Sequence, residues 1–454
     1  MTSPATPPII DSPDRDNGTG TMTGLDPAVS ARRPLRALLI GQALSPGEKG
    51  GLTIALDDLA AQLRSRGWEV DVPVYSTATV GEKPDSVLAL QPTNFSNKLA
   101  VLSRWTWAAW LGQRLPVQIR YLVETLFMPG SFWKHASDNL YRMEQLLADS
   151  KRHDAVLLST TTIDAPGLMA LATRRHPRVM LIGLNALAME LRAWWWSGLQ
   201  VLVRRRLRRS FHPFLLQRVS PHAIKLAVFA NRQWYEEAIQ AGLAKERAHI
   251  IYFSVPLPKP LPRLASGRNR LLWVGRLSRE KGLHLLLDAL PTIRQAVGEL
   301  TLTVIAAQGP AGYRDNILAT IRRNGLNDIV TLRPPVERAA LQTAYAEHDL
   351  LFFYSPFTDP VALVLMEAFA AGLPVVASAA HPDARLVQDH KTCLCYRPGD
   401  RRSLASAVVT LLTDVSLQTQ LAQNAQRLVR NEFSPDRMGQ AYNSLLRRLV
   451  AENR

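Results

Sequence analysis

The stretch SPFTDPVALVLMEAFAAGLPVV, from Ser355, sets two carboxylates, Asp359 and Glu367, eight positions apart around an apolar run. In one unbroken helix they would stand ~12 Å apart on different faces. Both reach one ligand only if Asp359 lies in the loop before the helix. The pair then holds opposite ends of an extended, hydroxyl-bearing molecule such as a sugar joined to a ribose, and amides near Ala362 and Leu363 face an anion at the helix entry. The plainer alternative is Asp359 as a helix cap and Glu367 as an exposed acid. In VGRLSREKG, from Val274, a guanidinium (Arg276) and an ammonium (Lys281) stand at a strand end before a helix. That pairing suits a diphosphate, or else is two solvated surface charges. The loop Gly47 to Gly51, with Gly50 and Gly51 at its end, is a phosphate contact or a tight turn. It lacks both the dinucleotide-binding glycine pattern and the Lys-Ser/Thr of a Walker-type site, which argues against NAD and ATP.

Regular elements must hold these groups in place. LRALLI from Leu35 reads as a strand, the glycine loop follows, and Leu52, Leu56, Leu59 and Leu63 mark one face of a helix. EVDVPV, AVLLS and RVMLIGL continue the alternation. VPLPKPLPRLASG, from Val255, reads as a linker. The alternation then restarts with strands at RLLWVG, LTLTVIA, DIVTLR, LLFFYS and LPVVAS, and helices near 282–296, 313–324, 337–347 and 362–371. Continuous apolar strands between helices indicate parallel sheets covered on both faces. The predicted organisation is a disordered tail (1–33), two Rossmann-like α/β domains (34–255 and 256–434) and a last helix (435–454). That helix carries Met438, Tyr442, Leu445, Leu446 and Leu449 at helical spacing and packs back on the first domain.

At 454 residues the chain is long enough for two domains. Its formal net charge of +16 predicts a polyanionic partner: nucleic acid, an acidic membrane surface or a phosphorylated substrate. Cys393 and Cys395 are too few for a zinc site and too close for a disulfide framework; they read as structural thiols in a reducing compartment. The first thirty residues lack the apolar core of a signal peptide, and no apolar run reaches the ~18 residues of a membrane-spanning helix.

In order and spacing, the GG loop, VGRLSREKG and DPVALVLME followed by AFAAGLPVV resemble the retaining glycosyltransferases of family 4. The resemblance covers nearly everything from Leu35 onward. It implies the GT-B fold, two facing Rossmann-like domains with a cleft between them and a C-terminal crossover helix. It also implies a nucleotide diphosphate sugar as substrate, UDP- or GDP-linked, with no cofactor and no metal. Arg276 and Lys281 would bind the diphosphate, Glu367 the ribose and Asp359 the donor sugar. The amides of Ala362 and Leu363 would hold the leaving group, while Gly50 and Gly51 approach the donor from the first domain. This sequence departs from the family pattern in three places: Asp359 replaces the usual Glu, Ala362 the usual Gly, and the usual His is missing, with Asn185 nearest its place on the acceptor side. His153 reads as a surface histidine.

Six of the ten tryptophans fall in LAVLSRWTWAAWLGQRLPVQIR (Trp105, Trp107, Trp110) and RAWWWSGLQVLVRRRLRRSFHPFLLQR (Trp194, Trp195, Trp196). The second segment holds seven arginines, Arg204, Arg205, Arg206, Arg208 and Arg209 among them, and no acid. Aromatic rings beside cations suit the headgroup zone of an anionic bilayer. Packing of Trp194 to Trp196 into the core is the bland alternative. Nucleic acid, which basic aromatic surfaces also bind, is not expected. The expected enzyme transfers sugar to a lipid-linked glycan or lipopolysaccharide core acceptor in bacterial surface-polysaccharide assembly. It would be cytoplasmic and peripheral on the inner face of the cytoplasmic membrane. A non-catalytic, membrane-bound scaffold of the same fold is the alternative; a nucleotide-sugar epimerase fits the carboxylate and cation elements less well.

Overall fold

The structure, a computed structural model, describes residues 33–41, 51–72, 152–159, 165–183, 219–258, 269–309, 312–354, 362–379 and 384–453, with parts of 140–148. Contacts divide the chain into one unit of residues 1–251 with 439–454 and another of 252–438.

In the first unit, β1 (Leu35–Ile40), α1 (Gly51–Arg64) and β2 (Trp68–Asp71) form the opening βαβ element. β3 (Ala155–Ser159), α2 (Ala165–Arg175), β4 (Val179–Gly183), β5 (Leu226–Phe229), α3 (Arg232–Gln240) and β6 (Ala248–Ile250) follow. Every residue of AVLLS and LAVF is buried, as strands covered on both faces require. The described strands pair in parallel in the order β2-β1-β3-β4-β5-β6. The order reverses between β1 and β3.

The second unit repeats the plan. Its elements are β7 (Arg270–Arg276), α4 (Leu283–Val297), β8 (Thr301–Ala307), α5 (Tyr313–Arg323), β9 (Val330–Arg333), α6 (Arg338–Glu347) and β10 (Leu350–Phe353). α7 (Leu363–Ala370), β11 (Val375–Ser378), β12 (Leu394–Tyr396), α8 (Arg401–Thr413) and α9 (Val415–Glu432) complete it. The parallel order is β12-β11-β10-β7-β8-β9. On α4, Leu283, Leu286, Leu287, Leu290 and Ile293 form the buried stripe. Pro291 stands inside that helix and cannot donate to the Leu287 carbonyl. The Asn324 side-chain amide supplies that carbonyl's hydrogen bond instead, at 3.0 Å. Asp400 and Asp414 start α8 and α9 by accepting from the amides of Ser403 (2.9 Å) and Leu417 (2.8 Å).

The last helix, α10 (Pro435–Glu452), begins in the second unit and continues in the first. Its apolar stripe of Met438, Tyr442, Leu445, Leu446 and Leu449 is buried. Trp68 Nε1 donates to Asn443 Oδ1 at 2.9 Å, and Lys225 Nζ to Asn453 Oδ1 at 2.5 Å. No helix among the described residues is long and apolar enough to cross a membrane.

Near the end of α10, Arg448 Nη2 lies 3.1 Å from His249 Nε2. Burial, then the Arg448 charge, pushes His249 down to about 4. The unfolded chain binds a proton at an ordinary value of about 6.5, so this site loses stability as pH falls from about 6.5 towards 4 and keeps it above. Thermal melting at pH 7.5 and pH 5 will show a larger loss for the native chain than for His249→Gln; equal losses would dismiss the site's part.

Two sequence expectations meet a definite outcome here. His153 is not a surface histidine: its side chain is 10 % exposed and its Nε2 sits 2.6 Å from Asp71 Oδ2. The cause is the parallel pairing of β2 and β3 on either side of β1, which brings Asp71 to the start of β3; nothing local to His153 signals it. Cys393 and Cys395 are free thiols 3.8 Å apart, the first buried and the second half-buried.

Candidate functional site

In a doubly wound sheet the chain leaves a crevice where strand order reverses, beyond the carboxyl ends of the strands. In the second unit that point lies between β7 and β10. Leu271 and Leu272 pair with Leu350 and Leu351 in parallel, so the carboxyl ends of both strands open on the same side.

β7 ends in Gly275 and Arg276, and its ladder with β8 continues through Leu277, whose amide donates to the Ala307 carbonyl at 3.0 Å. A 3-10 turn, Arg279–Lys281, follows and closes on Gly282, which holds φ 70 and opens α4. Two features fix the turn. Trp273, buried under the loop, donates from Nε1 to the Lys281 carbonyl at 3.1 Å. Gly282 lies against Tyr354, just past β10: a Cβ there would stand 2.5 Å from the ring's Cγ. The neighbouring loop is equally tight, since a Cβ on Gly309 would fall 1.5 Å from the Leu277 carbonyl oxygen.

Arg276 is 59 % exposed and donates to Glu280 Oε1 at 2.8 Å. Burial tends to raise the Glu280 carboxyl, but hydrogen bonds from Ser278 and its own backbone, with Arg276, outweigh it and hold it below the usual range. An ion pair this exposed contributes little. A multiply charged anion can therefore draw Arg276 away from Glu280. With Arg279 and Lys281 the turn carries three cations and one acid. Nearby, at the starts of α4 and α5, His284 Nδ1 lies 3.0 Å from Tyr313 Oη. Burial, then the Arg279 charge, holds His284 below its ordinary value.

On the β10 side, α7 begins at Leu363 with Ala362 as its N-cap, and both residues are buried. Glu367 stands on this helix with its side chain 13 % exposed. It is not the exposed acid of the plainer reading. Tyr345 donates from Oη to Glu367 Oε2 at 3.1 Å, and Arg338 Nη2 stands 4.0 Å from Oε1. Burial first, then the Glu367 charge, raises the Tyr345 phenol well above its ordinary value, so it remains a donor.

The structure thus places Arg276 at the end of β7, Lys281 on the turn that follows, and Ala362, Leu363 and Glu367 at the start and along the helix after β10; Gly282, which closes the turn, packs against Tyr354, just past β10. Asp359, Gly50, Asn185, the six tryptophans and the five arginines of the basic segments lie outside the described residues. Gly51 is the first residue of α1. The reading of the motifs missed Tyr345, Arg338, Trp273, Tyr354 and Gly309. The seven-residue spacing of Arg338 and Tyr345 could have placed them on one helix face, but no local signal ties that face to Glu367. Among the described residues no group of three or more His, Cys, Asp or Glu is arranged to hold a metal ion.

Residues 268–414, which include Arg276, Lys281, Arg338, Tyr345 and Glu367, match the family model "Glycosyl transferases group 1". This segment is a glycosyl transferases group 1 domain. A glycogen synthase of Mycobacterium tuberculosis is 29% identical over 171 residues, 38% of this chain and 40% of that one. A phosphatidyl-myo-inositol mannosyltransferase of Mycobacterium leprae is 29% identical over 183 residues, 40% of this chain and 46% of that one. The chain spans less than half the length of these curated relatives. Similarity of fold reaches further. The Anabaena protein HepE, solved in complex with UDP and glucose, matches with a TM-score of 0.60 at 21% identity, over 91% of this chain and 99% of that one. Sucrose-phosphate synthase of Thermosynechococcus elongatus matches with a TM-score of 0.63 at 17% identity, over 92% and 100%. At such identities the likeness is one of fold: the two parallel-sheet units, the group 1 domain being most of the second, are those of the GT-B fold.

Proposed function

We propose that the chain is a retaining glycosyltransferase of the family 4 type, moving a sugar from a nucleotide diphosphate donor to a lipid-linked acceptor at the cytoplasmic face of a bacterial membrane. One observation carries the reading. At the switch point of the second sheet, Arg276 ends β7, Arg279 and Lys281 stand on the turn after it, and the helix after the neighbouring β10 carries a part-buried Glu367 held by Tyr345 and Arg338. In this reading Arg276 and Lys281 bind the diphosphate, and Glu367 accepts from the ribose hydroxyls. Asp359 contacts the donor sugar, and the amides at Ala362 and Leu363 steady the leaving group.

Departure of the diphosphate builds negative charge on its oxygens, and fixed cations and amides stabilise that charge without rearranging. With the sugar bond opening, the acceptor hydroxyl attacks from the face the diphosphate is leaving, and its proton passes to a phosphate oxygen. No described side chain has the placement of a general base. Support for the donor class comes from HepE, solved with UDP and glucose, and for a membrane acceptor from the similarity to a phosphatidyl-myo-inositol mannosyltransferase. The net charge of +16 and the tryptophan-arginine segments agree with work at an anionic, surface-polysaccharide-building membrane.

The test is transfer from radiolabelled UDP- and GDP-sugars to a bacterial lipid extract. Label in the organic phase, with the anomeric configuration of the donor kept, is the expected result. Inversion would remove the retaining mechanism, and label left wholly in water with every donor would overturn the proposal.

A further inference from the structure

Both groups that meet Glu367 come from α6. Arg338 and Tyr345 are seven residues, about two turns, apart and so share one face of that helix. They divide the carboxylate between them: the Tyr345 hydroxyl donates to Oε2, and the Arg338 guanidinium faces Oε1. The Tyr345 ring is 1% exposed. Its hydroxyl cannot swing out to water, so packing of the second unit's core decides where the proton points.

A glutamate on a helix surface samples several rotamers, and ordering one for a ligand costs conformational entropy. Here that ordering is complete before any ligand arrives, which is preorganisation. A carboxylate offers about four acceptor positions. Tyr345 occupies one of them and, with Arg338 beside Oε1, sets the direction in which the carboxylate faces.

We infer that Tyr345, seconded by Arg338, is a positioning residue that aims Glu367 at a vicinal diol and so makes the site select ribose over deoxyribose. The inference deepens the donor reading above and rests on it. Its logic is that of any site built to accept from a hydroxyl. When the hydroxyl is missing, a carboxylate that cannot turn elsewhere is left buried and short of a donor, and the analogue is rejected. Freed from Tyr345, the same carboxylate turns towards water, and the penalty for the missing hydroxyl fades.

The experiment is calorimetric titration of the full chain with whichever of UDP, GDP and ADP binds, with its 2′-deoxy and 3′-deoxy analogues, and with inorganic pyrophosphate. The native protein prefers the ribonucleotide over the weaker-binding analogue by at least roughly tenfold, the worth of one charged hydrogen bond. In Tyr345→Phe that preference falls to about threefold or less, while pyrophosphate, which has no ribose for Glu367 to meet, binds as before. Three results would overturn the inference: a full preference in Tyr345→Phe, an equal weakening of all four ligands, or no preference in the native chain. Should Tyr345→Phe fail to fold, Arg338→Gln, at a part-exposed guanidinium, replaces it, and an undiminished preference there is equally fatal. Absence of any nucleotide binding by the native protein is a different failure, one that sinks the donor reading and takes this inference with it.

Discussion

On the proposed donor site, Lys281→Ala lowers kcat/KM for sugar transfer at least about 10³-fold, because removing one preorganised donor to developing charge costs about 10²–10³ and this donor would also carry full positive charge. The ammonium is the more demanding loss of the two cations. Its backbone is pinned by Trp273 Nε1 through the Lys281 carbonyl, so no neighbouring lysine can slide into its place. Arg276 is different. It is mostly exposed and already shared with Glu280, and Arg276→Ala should cost less, roughly 10–100-fold. In calorimetric titration the double variant binds none of UDP, GDP and ADP detectably, while its melting temperature stays within a degree or two of the native value. Lys281→Ala with activity within tenfold of native would remove this residue from the diphosphate site.

Gly282→Ala gives a large loss of stability. The residue holds φ 70, a region that costs an L-residue about 1–2 kcal/mol. The added Cβ would also meet Tyr354 Cγ and Cδ1 at 2.5 Å and Cβ at 2.7 Å. These are the stem and root of the ring, which cannot give way without moving β10's end, and overpacking of this kind costs about 1–3 kcal/mol more. The sum, about 2–5 kcal/mol, lowers the melting temperature of the second unit by several degrees, at roughly 2–4 °C per kcal/mol for this size. Gly312→Ala is the control. Gly312 is also left-handed, at φ 81 and ψ −20, with nothing within 4 Å of the would-be Cβ, so it suffers the backbone strain alone. Differential scanning calorimetry of the two variants decides the matter: equal shifts would mean that Tyr354 yields easily and that the packing account is wrong.

The parallel α/β plan of both units was readable because buried strands such as AVLLS and LLFF are continuous apolar runs, and because the leucines of α1 and α4 recur at helical spacing. Shorter pieces escaped that reading. β6 and β12 have three residues each, too few for any period to register, and both stand at sheet edges where neighbours define them. The turn after β7 was legible as chemistry from Arg276 and Lys281 alone. What makes it rigid was not, since Trp273, Tyr354 and Gly309 act through contacts that arise only when β7, β8 and β10 lie side by side. Glu367 shows the same limit from the other direction. Its helix could be read from DPVALVLME, yet its partners Tyr345 and Arg338 lie more than twenty positions upstream, on an element with no motif of its own. His153 was misread for the same reason, because its partner Asp71 is brought to it by a strand order that no local pattern encodes.

The route of α10 has a consequence for how the protein is made. The first unit is interrupted in sequence: it is left at Ile251 and rejoined only at Gly439. Until the ribosome has released α10, the surface that receives Tyr442, Leu445, Leu446 and Leu449 stays open, and Trp68 has no Asn443 to meet. The second unit, continuous from Tyr252 to Met438, suffers no such delay. The unit that is synthesised first is therefore the one that finishes folding last, and its completion follows translation of the whole second unit.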